Sequence, residues 1–417
     1  FYPEIKEKQE IVQKIILSEE ESFNSTLDRG LEIFEDIAKK NESRGIKVIA
    51  GEDVFKLYDT YGFPVDLTNL IAEERGFSLD MEGFNKLMDK QIERSRATGK
   101  SFSMILDDSR EIIKKFDMDS IPSTQFLGYD DNESTAKVLA FQNQKGKSYA
   151  IFDKTPFYAE SGGQISDTGI MESGGKQYNI IGVLKSGSHF IHIIEPELMN
   201  DIKDCTLKID IIRRRRIMQN HSATHLLHAA LRSVLGTHVQ QAGSLVDDEH
   251  LRFDFSHFQK VKPEELKEIE DIVNKKILEA LPRKRYADIS QDEAKSMGAL
   301  AFFGDKYGDK VNVIKFGDYS IEFCGGTHVL NTGDIGFFKI TNESSISSGV
   351  RRIEAITSIG LQGYLESMNS RINEILSEKE SLFEKIKQLE KEIKKIKALS
   401  VKDTIDKTIS SSPMVDD

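Results

Sequence analysis

Two short motifs hold the side chains best suited to chemistry in this chain. His221 and His225 stand four residues apart. On a helix that spacing puts both imidazoles on one face, one turn apart, within reach of a single metal ion. Cys324-Gly325-Gly326-Thr327-His328 sets a thiol and an imidazole four apart. Its two glycines oppose helix and imply a tight turn that brings both groups to one point. Three nitrogens and one sulfur make a usual zinc set. Alone, HxxxH is more often two ordinary histidines, and His228 shares the same face; the second motif tips the balance toward metal. A zincin places its general base beside the first histidine, where this chain has Ser222, which argues against that kind of metalloprotease. Four protein ligands close a tetrahedral site, so structural and catalytic zinc both stay open.

Other segments fit the lining of a cleft. Pro156–Gln164 contains Ser161-Gly162-Gly163-Gln164 and is followed by Ser166-Asp167-Thr168-Gly169. Adjacent glycines let a backbone approach a ligand closely, although a plain β-turn reads the same way. His238 to Ser244 reads as a helix-to-strand connection. Arg213 to Arg216 are four consecutive arginines ahead of His221. They read as a solvated helix start or as a phosphate contact leading to the metal.

The elements that must position these groups follow from periodicity. Residues 1–115 read as helical: Ile5, Ile11, Val12, Ile15 and Ile16, then Phe23, Leu27, Leu31, Phe34 and Ile37, recur at helical spacing. Asn41 to Gly45 breaks that pattern, and a second helix surrounds Val54–Tyr58. Pro64 follows, with Asp66 and Thr68 as caps for the next helix. Ser95 to Ser103 is polar and reads as mobile. Over 116–210 short β-rich runs at Lys137–Phe141, Tyr149–Phe152, Tyr178–Leu184 and Phe190–Ile194 predict a small β domain, open or closed into a barrel. Over 211–360 helices at Ile211–Leu235 and Pro263–Leu281 mix with strands at Leu251–Phe255, Val311–Phe316, Ser320–Phe323 and Phe337–Ile340, as in an α+β domain. Over 361–400, Ile372, Ile375, Leu382, Ile386, Leu389, Ile393 and Ile396 alternate steps of three and four, with Lys379 at one core position. This is a coiled-coil seam, pairing within a longer chain or between chains. Residues 401–417 read as a flexible tail. The expected fold class is therefore multidomain α+β: a helical N-terminal part, a small barrel-like β domain, a zinc-containing α+β domain and a C-terminal coiled-coil helix.

Composition bounds the partners. At 417 residues the chain exceeds one compact core. A net charge of −12 argues against a general nucleic-acid coat or a basic membrane binder, while leaving room for a local basic patch. Only Cys205 and Cys324 are present, which excludes a disulfide scaffold and fits a reducing, cytoplasmic setting. No apolar run approaches the roughly 18 residues of a membrane span. The chain opens at Phe1 inside an amphipathic pattern and reads as an internal piece of a longer protein.

Several longer strings carry a resemblance. HSATHLLHAAL at 221–231, CGGTH at 324–328, FYAESGGQISDTG at 157–169, GSLV at 243–246, LRFDFSH at 251–257 and GVRRIEAIT at 349–357 closely resemble the editing domain of the alanyl-tRNA synthetase family. EESFNSTLDRG at 20–30 and KLYDTYGFPVDLT at 56–68 resemble its tRNA-recognition part. The resemblance covers nearly the whole chain in the expected order. It implies a parent enzyme that joins alanine to tRNA(Ala) with ATP and Mg2+, and a separate site that hydrolyses tRNA mischarged with serine or glycine. The class II ATP-binding motifs lie upstream in the family and have no match here, so this piece is not expected to form alanyl-adenylate. By position the resemblance makes His221, His225, Cys324 and His328 ligands of one Zn2+. Gln241 then lines the editing pocket, and Gly162, Gly163 and Gln164 sit near the terminal adenosine. Asp59, with Asp66 as second choice, reads the G·U pair of the acceptor stem. Arg213 serves as a tRNA contact, and Thr327 or nearby N–H groups stabilise the developing oxyanion. A homo-oligomer through the coiled coil and the absent C-terminal region is the remaining expectation. The competing readings are a free-standing trans-editing deacylase, a generic zinc hydrolase, and a non-catalytic tRNA-binding module with structural zinc.

Overall fold

The computed structural model describes residues 9–91, 112–199, 202–301, 308–347 and 349–410. Ile5 and the 95–103 segment lie outside them. A 34-residue helix α1 (Gln9–Glu42) opens the described chain. Helices α2 (Gly51–Asp59) and α3 (Val65–Glu74) follow. They enclose a small core of Phe34, Val54, Leu57, Phe63 and Ala72. The helix boundaries differ from the sequence expectation in one respect. Pro64 occupies the N-cap of α3 without a side-chain cap. Asp66 lies in the first turn, and the Thr68 hydroxyl donates back to the Pro64 carbonyl at 3.0 Å. Proline's fixed φ starts the helix, so neither Asp66 nor Thr68 is needed as its cap.

Two short parallel pairs, β1 (Val48–Ile49) with β2 (Ser78–Leu79) and β3 (Gln125–Phe126) with β6 (Lys154–Thr155), stand apart from a closed barrel of six strands: β10 (Asp204–Ile209), β4 (Glu133–Gln144), β5 (Lys147–Phe152), β9 (His189–Glu195), β8 (Lys176–Ser186) and β7 (Gly169–Ser173), in that order around the ring. Tyr178 and Ile180 point inward while Asn179 and Ile181 point out, the period-two pattern of a strand with one buried face. Phe152, Phe157, Met171, Ile194 and Leu207 fill the interior.

The chain then enters α4 (Ile211–Leu235), whose first turn is capped by the Asp210 carboxylate, accepting from the N–H groups of Ile212 and Arg213. Two antiparallel sheets accompany it. One runs β11 (Gln241–Val246), β12 (Leu251–Ser256), β17 (Val350–Thr357), β16 (Phe338–Ser347); the other runs β13 (Arg283–Ser290), β14 (Lys310–Phe316), β15 (Ser320–Phe323). Leu226, Leu227, Ala230 and Leu231 of α4 pack with Phe253 and Phe255 of β12 and with Ile269 and Val273 of α5 (Pro263–Leu278) in one core. Helix α4 is buried almost all round between Asn220 and Leu231. Its polar side chains there, two of the proposed ligands among them, must therefore find partners inside the protein.

The described residues of the C-terminal unit, which begins at Ile359, all belong to one 53-residue helix (Ser358–Ser410). It continues through Ser410, where a flexible tail from 401 was expected. No Gly or Pro interrupts 401–410, and Val401 and Ile405 keep helical spacing. The seam residues from Ile372 to Ile396 are each about half exposed on it.

Candidate metal centre and substrate cleft

His221 and His225 project from one face of α4, and Cys324 and His328 come from the loop after β15. One ligand atom from each of the four lies within 4.8 Å of the others. Cys324 Sγ stands 3.5 Å from His221 Nε2 and 3.2 Å from His328 Nε2. Burial pushes the His221 and His328 pKa values well below their ordinary range and raises the Cys324 thiol to about 12. The buried imidazoles are thus held neutral with lone pairs to offer, and a bound cation would supply the charge that draws the thiol proton off. This group can hold a metal ion.

A second ring of contacts fixes the imidazoles from behind. His221 Nδ1 lies 2.8 Å from Gln164 Oε1, and His328 Nδ1 lies 3.1 Å from Ser222 Oγ. His225 Nδ1 lies 3.5 Å from Glu322 Oε2. His221 and His328 therefore have Nδ1 engaged by a protein oxygen, leaving Nε2 for a metal, the usual outer-shell arrangement of metal-ligating histidine; His225 Nδ1 has the Glu322 carboxylate nearby without a hydrogen bond. His228, which shares the helical face, is one turn further on. Its Nδ1 meets Glu322 Oε1 at 2.9 Å, and it is not one of the four clustered donors.

Of the two glycines of the CGGTH loop, Gly326 acts through space and not through turn geometry. Neither Gly325 nor Gly326 has a positive φ. A Cβ on Gly326 would lie 2.1 Å from His221 Cε1, so only glycine lets this loop pass the imidazole. Gly163 adds both constraints: its φ is +82°, and a Cβ there would lie 2.5 Å from the Ser244 carbonyl oxygen. The Val246 N–H donates to the Gly163 carbonyl at 2.7 Å, tying the barrel loop to β11.

The cluster lies in a cleft of about 1200 Å³ between the barrel and the sheet-bearing half. Gly162 and Gly163 line it from the barrel, Gln241 from β11, and His221, His225 and Cys324 from the metal centre. Three sequence-proposed residues take other places. Gln164 is fully buried, with its oxygen on His221 and on the Thr327 N–H, and its amide nitrogen 2.9 Å from Thr327 Oγ1. Thr327 is buried with it, its N–H is already committed to Gln164, and it is not among the residues that line the cleft. Arg213 donates to Asp248 and to the Ser166 carbonyl instead of facing the cleft. Asp59 and Asp66 are exposed on the helical module, and Asp59 accepts from Gln91 Nε2.

Residues that sequence reasoning passed over complete the site. Glu322 is a carboxylate between Ile321 and Phe323 in the short strand Ser320–Phe323, and an acid flanked by apolar residues in a strand is a signal of a buried partner. Arg214, one of the four arginines, is buried with Asp167, its Nε 2.8 Å from Asp167 Oδ1.

The described chain joins a helical module, a closed barrel and an α+β half whose His/Cys group comes from α4 and from the loop after β15, and comparison with known proteins gives the class: aminoacyl-tRNA synthetases of class II. A family model described as tRNA synthetases class II (A) matches residues 1–211. A second, described as Threonyl and Alanyl tRNA synthetase second additional domain, matches residues 311–354. The chain is 44% identical over 418 residues to an alanine–tRNA ligase of Thermoanaerobacter sp. (strain X514), covering 95% of this chain and 47% of that protein. The alanine–tRNA ligase of Bacillus subtilis (strain 168) is 43% identical over 416 residues, covering 95% of this chain and 46% of its own length. The chain belongs to the alanyl-tRNA synthetase family. It spans about half the length of these relatives.

Proposed function

We propose that the cleft is the editing site of an alanyl-tRNA synthetase, hydrolysing the ester bond of tRNA(Ala) mischarged with serine or glycine. The observation that carries this reading is the placing of four metal-type donors, the three histidines buried and Cys324 part-exposed, at a cleft large enough for a nucleotide, in a chain of this family. Such a site answers a physical limit. A pocket for a small side chain rejects an added hydroxyl by only about 100-fold, so a second, hydrolytic sieve is required.

Zinc is the metal the donors suit. A tetrahedral ion with bonds of about 2.3 Å to sulfur and 2.0–2.1 Å to nitrogen separates S from N by about 3.5 Å. The observed separations are 3.5 and 3.2 Å. Bound there, zinc supplies a Lewis acid or a fixed anchor for the ribose or amino acid. The protein does the rest. Gln164 and Ser222 hold the imidazoles of His221 and His328 with Nε2 inward, and the Glu322 carboxylate stands near that of His225. Gln241 offers an amide that orients water or the substrate's amino or hydroxyl group, without serving as a base. Gly162 and Gly163 bring backbone close to the terminal nucleoside.

The whole enzyme would attach alanine to tRNA(Ala) with ATP and Mg2+, a step this piece is not expected to perform. The helical module would read the acceptor stem, Asp59 first and Asp66 second, each accepting from guanine's minor-groove amine. The C-terminal helix would pair through its apolar seam, joining copies or a later part of the chain. No described helix is long and apolar enough to cross a membrane, and a cytoplasmic setting fits the two unpaired cysteines. The helical module at 9–91 disfavours a free-standing trans-editing deacylase.

Incubating the chain with seryl-tRNA(Ala) and alanyl-tRNA(Ala), with and without a zinc chelator, tests this. The expected result is rapid loss of serine, alanine spared, and arrest by the chelator. A folded, zinc-loaded chain that hydrolyses neither would overturn the editing reading in favour of a tRNA-binding module with structural zinc.

A further inference from the structure

The cleft carries a feature that ester hydrolysis alone does not require. One wall holds aromatic rings in mutual contact. Phe126 and Phe190 lie parallel, 7° apart with centroids at 5.5 Å, and Tyr129 meets Phe126 edge-on at 4.8 Å. All three are only half-buried and line the cleft, although a ring cluster of this kind normally closes over in a core. Two cations are set against these rings. The Arg285 guanidinium lies 4.1 Å from the Tyr129 centroid, and Lys185 Nζ 5.9 Å from that of Phe190. Arg285 lies 3.8 Å from the carboxylate of the exposed Asp130, a pair that solvent screens, and Asp131 and Asp288 also line the cleft. The wall is anchored to the metal centre. Tyr129 Oη donates to the Gly325 carbonyl at 2.7 Å, one residue from Cys324.

In a chain of net charge −12, aromatic faces interleaved with cations along one side of a cleft match the chemistry of an unpaired nucleic-acid strand. Rings and guanidinium planes stack bases regardless of sequence, and the cations meet the phosphates. We propose that this wall seats the unpaired bases of an RNA 3′ strand, one on the Tyr129–Arg285 layer and its neighbour on the Phe126–Phe190 pair, with Lys185 on the backbone. Held there, the strand delivers its terminal ribose to the metal end of the cleft. The inference rests on the editing reading for the identity of the substrate, and its test is independent of hydrolysis.

The probe is a fluorescein-labelled, uncharged single-stranded RNA octamer ending in CCA, titrated into the zinc-loaded chain and followed by anisotropy at two salt concentrations. Wild type is expected to bind, more weakly at high salt. Phe126→Leu and Arg285→Gln are each expected to weaken binding about fivefold or more, with zinc content and thermal midpoint confirming folding. Arg285→Lys keeps the charge and loses the plane, so it is expected to recover little of the affinity. Full rescue by lysine, or folded variants that bind like wild type, would overturn the stacking seat. So would a wild-type chain that ignores the octamer at low salt. If wild type hydrolyses seryl-tRNA(Ala) but ignores the octamer, the seat fails and the editing reading stands. If it binds the octamer through these residues but hydrolyses nothing, the reverse holds.

Discussion

Gln164 Oε1 sits 2.8 Å from His221 Nδ1 and 2.9 Å from the Thr327 backbone nitrogen. One amide oxygen of a barrel loop thus joins both motifs of the His/Cys group. The orientation is set by its surroundings: the Thr327 N–H can only donate, so the oxygen must face it, and the amide NH2 then faces Thr327 Oγ1. An oxygen can only accept, so His221 carries its proton on Nδ1 and presents Nε2 as a lone pair. Gln164→Leu removes this acceptor and leaves two buried donors unmet. Zinc affinity is expected to fall about 10- to 100-fold. Competition against a chromophoric chelator measures it, and wild-type affinity in the variant would show that His221 needs no such support.

The two glycines between Cys324 and Thr327 make a matched pair. A methyl at Gly326 collides with the His221 ring at 2.1 Å, whereas at Gly325 the nearest atom is Tyr129 Oη at 3.8 Å. Gly326→Ala is expected to displace His221 or the loop and to lose both zinc and deacylation of seryl-tRNA(Ala). Gly325→Ala is expected to keep its zinc. Metal analysis of the two purified variants decides the matter; equal zinc content would show that the loop can give way.

Much of this architecture was legible because its signals are local. The 3.6 period of α4 set it at Ile211–Leu235, and the runs at Tyr149–Phe152, Phe190–Ile194 and Ser320–Phe323 all fall within strands. Strands without an apolar run escaped. β13 reads Arg-Lys-Arg-Tyr-Ala-Asp-Ile-Ser and pairs along β14 all the same, because partner and backbone hydrogen bonds carry it. The connection expected from His238 to Ser244 becomes strand β11 from Gln241, and Pro263–Leu281 ends as helix at Leu278. In the site, spacing showed which side chains could share an ion. It could not show that Gln164 turns inward, that Thr327 is enclosed, or that Glu322 stands behind His225, since each depends on contacts between distant segments. The run of four arginines illustrates the same limit. A helix divides such a run among its faces, and the fold alone decides that Arg214 is the buried one.

Arg214 and Asp167 form a buried pair, each side chain 2% exposed. Arg214 also donates to the carbonyls of Gly128 and Pro156, and Asp167 accepts from the Tyr158 N–H at 2.7 Å. The pair thereby fastens the start of α4 to the barrel loops that line the cleft. Replacing Arg214 by Met leaves a carboxylate buried without its cation, and the loss of stability is expected to be about 3–5 kcal/mol. Arg214→Met with Asp167→Leu removes both charges and is expected to be less damaging than the sum of the single changes. Urea midpoints of the four proteins measure this coupling, and additive losses would refute it.

His192 gives the barrel a pH dependence of definite sign. It is completely buried beside Phe152 and Phe157, its Nε2 2.8 Å from Thr155 Oγ1, and burial pushes its pKa down to about 3. In the unfolded chain the same imidazole titrates near 6.5. Above that pH neither state is protonated and His192 contributes no slope. Below it the unfolded chain takes up a proton that the folded chain refuses, so stability falls as pH drops from about 6.5 toward about 3. The slope from one such histidine is about 1.4 kcal/mol per pH unit. Other buried histidines, His257 among them with a pKa pushed down to about 4, add slopes of the same sign. The difference between wild type and His192→Gln therefore isolates this one, since glutamine keeps a polar partner for Thr155 and does not titrate. Urea unfolding of both, with chelator present to remove metal release from the comparison, is expected to show the smaller acid sensitivity in the glutamine variant. Parallel curves between about pH 6 and 4.5 would mean that the folded barrel admits the proton.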